Sequence, residues 1–309
     1  METQIQNILS QTTTKTRKIQ QLILLGLTRK RIAELVTNGN YGFVQNVYAK
    51  MRLEGRLNAI TNVISTNIFN RKFGVEFEAY NVSKTILKNA LNSANIRCEI
   101  EGYNHNTSRH WKIVNDSSLN GNNAFELVSP ILIGETGINE LKTVCRVLNE
   151  CGAKVNKSCG THVHFDAADF NIDIWKKIYI NYFRLENTID GFMPRSRREN
   201  TYCKGLRNIT NFESKINGAS SLNGIASIFG SSRYFKINPV SYSRHNTCEF
   251  RQHSGTVEFE KIGNWIKFLN NLVEYSKVNL ITDKTLNGLQ NFNNNELVNY
   301  LKTRTLKLA

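Results

Sequence analysis

Apolar residues recur at helical spacing in three places near the start of the chain. Ile19, Leu22 and Ile23 share one face, Ile32, Leu35 and Val36 a second, and Val44, Val47, Tyr48 and Met51 fall at i, i+3, i+4 and i+7. Gly26 can end the first helix in a left-handed cap, Thr28 can cap the second, and Asn38-Gly39-Asn40 reads as the turn before the third, which ends near Gly55. The stretch before them, residues 1–15, is polar and has no apolar signal core. This pattern predicts a small trihelical domain over residues 1–60 and a linker over 61–71.

At Lys72 the period changes to two. In the run Lys72-Phe73-Gly74-Val75-Glu76-Phe77-Glu78-Ala79-Tyr80, Phe73, Val75, Phe77 and Ala79 face one way and Glu76 and Glu78 the other. Cys159-Gly160-Thr161-His162-Val163-His164-Phe165-Asp166 repeats the arrangement with His162 and His164. In Thr247-Cys248-Glu249-Phe250-Arg251-Gln252-His253 the alternation predicts Glu249, Arg251 and His253 on one face. Helical patterns separate these strands: Ile138, Leu141, Val144, Cys145 and Leu148; Trp175, Ile178, Tyr179, Tyr182, Phe183, Glu186 and Ile189; and Ile262, Trp265, Ile266, Leu269 and Val273. Strands interrupted by helices, without βαβ repetition or a Gly-rich phosphate loop, predict an α+β domain over residues 72–280. A C-terminal helical tail, 281–309, has its pattern near residues 297–301.

Each strand pair admits a plain reading and a chemical one. Glu76 and Glu78, about 6.5–7 Å apart on one face, make either a solvated edge or a seat for a hard cation such as Mg²⁺ or Mn²⁺. His162 and His164 are two satisfied structural histidines or metal and phosphate contacts, and a zinc-dependent amide hydrolase would use the same pair. Glu249 beside Arg251 is a simple ion pair, or a metal ligand next to a guanidinium that forks onto phosphate.

The chain has 309 residues and a net charge of +15, from 40 basic and 25 acidic side chains. Nine basic residues against three acidic ones fall in the first 70, where the positive density is highest. A basic trihelical unit with a tight turn resembles a helix-turn-helix that binds double-stranded DNA. In that reading Tyr41, Phe43, Gln45, Asn46 and Lys50 of the third helix face bases, and Arg29, Lys30 and Arg31 contact phosphates. A bundle used only for packing or protein contacts is the alternative. The six cysteines have no C-x-x-C spacing and are expected to be reduced thiols in the cytoplasm. No apolar stretch is long enough to span a bilayer.

Taken in order, the motifs carry more than they do singly. Phe73-Gly74-Val75-Glu76-Phe77-Glu78, Trp111 with Asp116-Ser117-Ser118, Phe125-Glu126-Leu127-Val128-Ser129-Pro130, the Gly160-Thr161-His162-Val163-His164 strand, Pro194-Arg195-Ser196-Arg197-Arg198, and Glu249-Phe250-Arg251-Gln252-His253-Ser254-Gly255-Thr256 resemble the amidoligase family over about residues 72–275. That family is a branch of the carboxylate–amine ligases related to glutamine synthetase and glutamate–cysteine ligase. The resemblance implies a glutamine-synthetase-like curved antiparallel sheet with outer helices. It implies an ATP-dependent ligase that joins a carboxylate to an amine through an acyl phosphate, with two Mg²⁺ sites and Mn²⁺ as an alternative. Carried over position by position, Glu76, Glu78, Glu126, His162 and Glu249 are metal ligands. Arg251 contacts the transferring phosphate and His164 lies toward the nucleotide. Arg195, Arg197 and Arg198 are a phosphate or substrate clamp, or else a solvated basic loop, and Asp116 serves the amine. Ser117-Ser118 replaces a glycine expected after Asp116, which bears on the shape of that turn. A non-catalytic DNA-binding regulator that senses a ligand is the remaining alternative.

Overall fold

A computed structural model describes residues 2–25, 27–54, 70–102, 104 and 106–309. The expected linker at 61–71 lies mostly outside the described residues, as do Gly26 and Gly55. The described residues fall into two compact units, one built on the N-terminal helices and one on residues 70–302.

Among the described residues the first unit has four helices, not the expected three. Helix α1 (Glu2–Ser10) precedes α2 (Lys15–Leu24), α3 (Arg29–Thr37) and α4 (Tyr41–Leu53). Ile5 of α1 joins the core formed by Ile19, Leu22, Ile23, Ile32, Ala33, Val44 and Met51, with Ile8 and Leu9 packed against it. Three apolar residues in a polar stretch are enough for one short amphipathic face, which is why the segment reads as a tail until its partners are in place. The capping residues act as expected. Thr28 accepts a hydrogen bond from the Arg31 amide, Asn38 ends α3 in the left-handed conformation, and Asn40 accepts from the Phe43 amide at the start of α4.

The second unit is an α+β domain around one mixed sheet. Its strands are β1 (Lys72–Ala79), β2 (Cys98–Ile100), β3 (Trp111–Val114), β4 (Phe125–Val128), β5 (Leu132–Ile133), β6 (Gly160–Asp166), β7 (Ile237–Asn238) and β8 (Thr247–Ser254). They lie in the order β2-β3-β4-β1-β6-β8-β7, with β5 also paired to β1. All of these strand pairs are antiparallel except β2 with β3, so the sheet is largely antiparallel, as expected. The helices of this unit are α5 (Lys84–Ser93), α6 (Gly134–Glu150), α7 (Ile172–Gly191), α8 (Phe212–Gly218), α9 (Leu222–Ile228), α10 (Ser241–His245), α11 (Phe259–Ser276) and α12 (Asn295–Leu308), of which Thr303–Lys307 fall in the first unit.

One face of the sheet is apolar: Phe73, Val75, Phe77, Trp111, Ile113, Phe125, Leu127, Val163, Phe165 and Phe250 are all buried in a single core with residues of α6, α7 and α11. Gly137 of α6 lets the helix sit against the sheet, since a Cβ there would stand 2.8 Å from Leu132 Cβ and 3.0 Å from the Phe73 ring. Ile281, Leu289, Leu297, Val298 and Leu301 pack into the same core, so the tail is anchored over most of its length. The alternating side chains on the other face are mostly polar, with Val114 and Val128 among them, and they form the floor of the cavity described next.

Candidate functional site

The register of the sheet brings the polar positions into rows. Glu76 stands opposite His162, Glu78 opposite Glu126, and His164 opposite Glu249. Directly paired residues in an antiparallel ladder project from the same face. Residues from β4, β1, β6 and β8 therefore converge on one cavity of about 1230 Å³.

Glu76 is central. Its two carboxylate oxygens lie 2.9 Å from His162 Nδ1 and 3.3 Å from His164 Nε2. Burial works against its charge, yet His164 and His162 together hold its carboxyl well below the ordinary range. His162 also reaches Glu78, Nε2 to Oε1 at 3.5 Å, and the second Glu78 oxygen accepts from the Gly160 amide. A Cβ at Gly160 would come within 3.0 Å of Arg197 Nη2 and 3.1 Å of His162 Nε2, so glycine keeps open the space in which these groups meet.

Toward β8 the charges are compensated. Glu249 pairs with Arg251 at 2.5 Å and accepts from Asn238 Nδ2 at 2.6 Å. Burial pushes Glu249 up, but Arg251 and His164 outweigh it and hold the carboxyl at about 2. His164 Nδ1 lies 2.9 Å from the Thr247 hydroxyl, itself 3.0 Å from the Ser241 hydroxyl, which leaves Nε2 directed at Glu76 and, 4.0 Å away, Glu249. That Nε2 is buried, and its 3.3 Å approach to Glu76 Oε1 lies outside good hydrogen-bond geometry. Burial lowers the His164 pKa, and the nearby Glu249 and Glu76 carboxylates more than reverse this.

Toward β4 the charges are not compensated. Burial, then the charges of Glu76, Glu78 and Asp116, push Glu126 well above the ordinary carboxylate range. Asp116 follows β3, and its Oδ1 accepts from the Ser118 amide at 2.8 Å. The turn at Ser117-Ser118 is thus closed by the aspartate itself without a glycine.

Three groups of potential ligands result: Glu76, His164 and Glu249; Glu76, Glu126 and His162; and Glu78, Asp116 and Glu126. Within each, the ligand atoms lie within 4.8 Å of one another. The donors are mainly carboxylate oxygens with at most one imidazole each, a set suited to Mg²⁺ or Mn²⁺. The buried His164 Nε2 fits a cation at the first group. Among the described residues no group contains both histidines, unlike the paired-histidine arrangement of a zinc hydrolase.

Other expected residues divide. Arg197 is buried, donates to the backbone carbonyls of Arg251 and Gln252, and lines the cavity. Arg195 is exposed and Arg198 donates to the carbonyls of Met193 and Leu308; neither lines the cavity. The short helical turn at residues 195–197 points only one of the three arginines inward.

His253 is a correction. Thr161 pairs with His253 and Val163 with Phe250, so two residues of β8, Arg251 and Gln252, oppose His162 alone. This bulge breaks the alternation. It turns His253 to the helix side, where it is buried with its ring 5.7 Å from Trp265. Residues not anticipated from the sequence also line the cavity: Lys112, Asn238, Thr247, His245 and Arg233. Lys112 was legible in principle, since Trp111 and Ile113 alternate with it toward the core.

In the first unit Arg29 Nη1 donates to Gln45 at 2.6 Å, and its guanidinium lies 4.6 Å over the Tyr48 ring. Lys30, Arg31, Tyr41, Phe43, Asn46 and Lys50 are exposed. Among the described residues, no helix is long and apolar enough to cross a membrane.

No curated protein matches the chain. A family profile described as "Putative amidoligase enzyme" matches residues 69–273, a span that contains every cavity-floor residue named above. With its carboxylates, histidines and arginine brought onto one face by the register of that same segment, the chain belongs to the amidoligase family.

Proposed function

We propose that the protein is an ATP- and Mg²⁺-dependent carboxylate–amine ligase with a glutamine-synthetase-like catalytic domain, acting in the cytoplasm. The observation that carries this reading is the row of three overlapping ligand groups, bounded by Arg251 and Arg197 on one side and by uncompensated carboxylates on the other. A carboxylate is a poor electrophile and needs activation, in this reading by phosphoryl transfer from ATP to give an acyl phosphate, whose carbonyl carbon the amine attacks with inorganic phosphate as the leaving group. Bringing phosphates to a carboxylate requires concentrated positive charge and fixed positions. Divalent cations held by Glu76, Glu78, Glu126, His162 and Glu249 would neutralise phosphate charge and polarise phosphoryl oxygens. The His164 Nε2, buried beside Glu76 and Glu249, would add a ligand to that set, beyond its expected role toward the nucleotide. Arg251 is anchored on Glu249 and, with Arg197, supplies donors to phosphate oxygens. Asp116, between Glu126 and solvent-facing serines, holds the incoming ammonium and receives its proton. The carboxylate cluster beside it favours a cation there.

The test is a panel of carboxylates and amines incubated with the full chain, ATP and Mg²⁺, read by ADP release and product mass. A Mg²⁺-dependent amide product that disappears in Glu76→Gln supports the proposal. Absence of Mg²⁺-dependent nucleotide binding, with tight stoichiometric zinc instead, would favour an amide hydrolase.

For the N-terminal unit we infer duplex DNA binding, with the capped α3–turn–α4 arrangement in support. Arg29 and Gln45 engage each other, so Lys30, Arg31, Tyr41, Asn46 and Lys50 carry the contacts. A salt-sensitive gel shift by the full chain, lost in Lys30→Glu/Lys50→Glu, is expected. No shift at low salt would remove this reading.

A further inference from the structure

The extra residue in β8 sets Arg251 and Gln252 together opposite His162, and their side chains part there: Arg251 lines the cavity and Gln252 does not. Residues in a bulge lack the regular ladder that fixes a strand, so their direction is set by whatever holds them. Gln252 is fully buried and its amide is pinned at both ends. Its Oε1 accepts from the Tyr182 hydroxyl at 2.5 Å, and its Nε2 donates to Asp190 at 2.5 Å.

Tyr182, Glu186 and Asp190 follow one another at four-residue spacing and share one face of α7. That face also holds a cluster of buried charge. Lys236, wholly enclosed, lies 2.7 Å from both Glu186 and Asp190, and Arg207 lies 2.5 Å from the second Asp190 oxygen. Two cations meet two carboxylates, so the charges balance. Neither carboxylate lines the cavity, and neither does Lys236. Ion pairs at such depth add little net stability over well-packed apolar side chains, and their best-attested use is to fix register.

Here the object fixed is the bulge. The Arg251 amide donates to the Lys236 carbonyl at 2.9 Å, and Arg197 donates to the carbonyls of Arg251 and Gln252. The bulge is therefore tied to α7 through the Gln252 side chain and to both cavity arginines through its backbone.

We propose that Gln252 is a positioning residue for Arg251 and Arg197: held by Tyr182 and Asp190, it fixes the bulge that aims Arg251 into the cavity and seats Arg197 beside it. This rests on the ligase reading for phosphate as the partner of the two arginines. Glu76, Glu78 and Glu126 stand on other strands, so loosening the bulge should weaken phosphate binding and spare the cation.

Calorimetric titration of the full chain with Mn²⁺ alone, and then with the non-hydrolysable ATP analogue adenylyl imidodiphosphate in saturating Mn²⁺, reads the two separately. Gln252→Met keeps the volume and removes both pins. It should weaken binding of the analogue about tenfold, within the range for residues that share one hydrogen-bond network, and change Mn²⁺ affinity by less than about twofold. Tyr182→Phe removes one hydroxyl without loss of packing and should give a smaller loss of the same kind; it takes over the test if Gln252→Met does not fold. Asn181→Leu is the control. Its buried amide bonds Ser276, Asn279 and Ile281 from the same helix, away from the bulge, so it should lower the unfolding temperature without moving either affinity.

Three results would overturn the positioning role and leave the ligase reading standing: unchanged affinity for the analogue in the bulge variant, equal weakening of Mn²⁺ and analogue, or the same loss of analogue binding in Asn181→Leu. An unmodified chain that binds Mn²⁺ but not the analogue would overturn both.

Discussion

The two ends of the cavity floor treat the same chemical group in opposite ways. On β8, Glu249 is buried with Arg251, Asn238 and His164 around it, and its carboxyl is held at about 2. On β4, Glu126 is only half-buried, faces Glu76, Glu78 and Asp116, and is pushed well above the ordinary range. In the proposed ligase, the first carboxylate, with its built-in guanidinium, would serve as a fixed element of a phosphate site, and the second, surrounded by its own kind, would take a cation that arrives with the reaction. Glu76 links the ends, since it belongs to two of the three ligand groups and touches both histidines.

The largest break is expected at that link. Glu76→Gln should remove divalent-cation binding at both groups it serves and abolish turnover, with the fold retained by circular dichroism. Retained cation stoichiometry would show that the groups do not depend on it. Arg251→Ala comes next. It should lower kcat by about 10²–10³-fold, as loss of a donor to developing charge does elsewhere. It should also destabilise the cation-free protein by about 3–5 kcal/mol, because Glu249 is left buried without its guanidinium, with only the Asn238 amide and, 4.0 Å away, His164. Urea unfolding and steady-state kinetics check the two effects separately.

Thr247→Val should be milder. Thr247 fixes His164 through Nδ1, so its loss is expected to weaken cation affinity by about 10–100-fold. Calorimetric Mn²⁺ titration reads this directly, and unchanged affinity would mean the imidazole is oriented by its carboxylate neighbours alone.

Glu126→Gln gives the smallest and most specific effect. A carboxyl whose folded pKa is raised contributes stability fully present below its unfolded pKa, near 4.5, and lost as pH rises toward the folded value. The cation-free parent should therefore lose stability relative to Glu126→Gln as pH rises above the ordinary carboxylate range, and divalent cation should restore it. Parallel pH profiles of the two proteins would contradict the uncompensated state of Glu126.

Where regular alternation holds, the sequence pattern and the structure agree: β1 and β6 show Glu76, Glu78, His162 and His164 on one face as their spacing predicts. Where alternation breaks, the pattern misleads, and His253 is the example. A β-bulge depends on how two strands pair, and nothing within Thr247-Cys248-Glu249-Phe250-Arg251-Gln252-His253 marks it. The arginines at 195, 197 and 198 were indistinguishable for a similar reason, because the direction of a short turn depends on what it packs against. Glu126 and Asp116 came from motif order, and their uncompensated setting became visible only when Glu78 and Glu126 were found opposite each other. Helix α1 shows the same limit in the first unit, where three apolar residues acquire meaning only through the core they join.

The most direct test of the central claim is isotope transfer. With a carboxylate substrate labelled with ¹⁸O and the amine with which it reacts, the account predicts one ¹⁸O atom in the inorganic phosphate released with ADP for each amide formed. Amide formation with all the label outside phosphate, or with AMP and pyrophosphate as products, would contradict it.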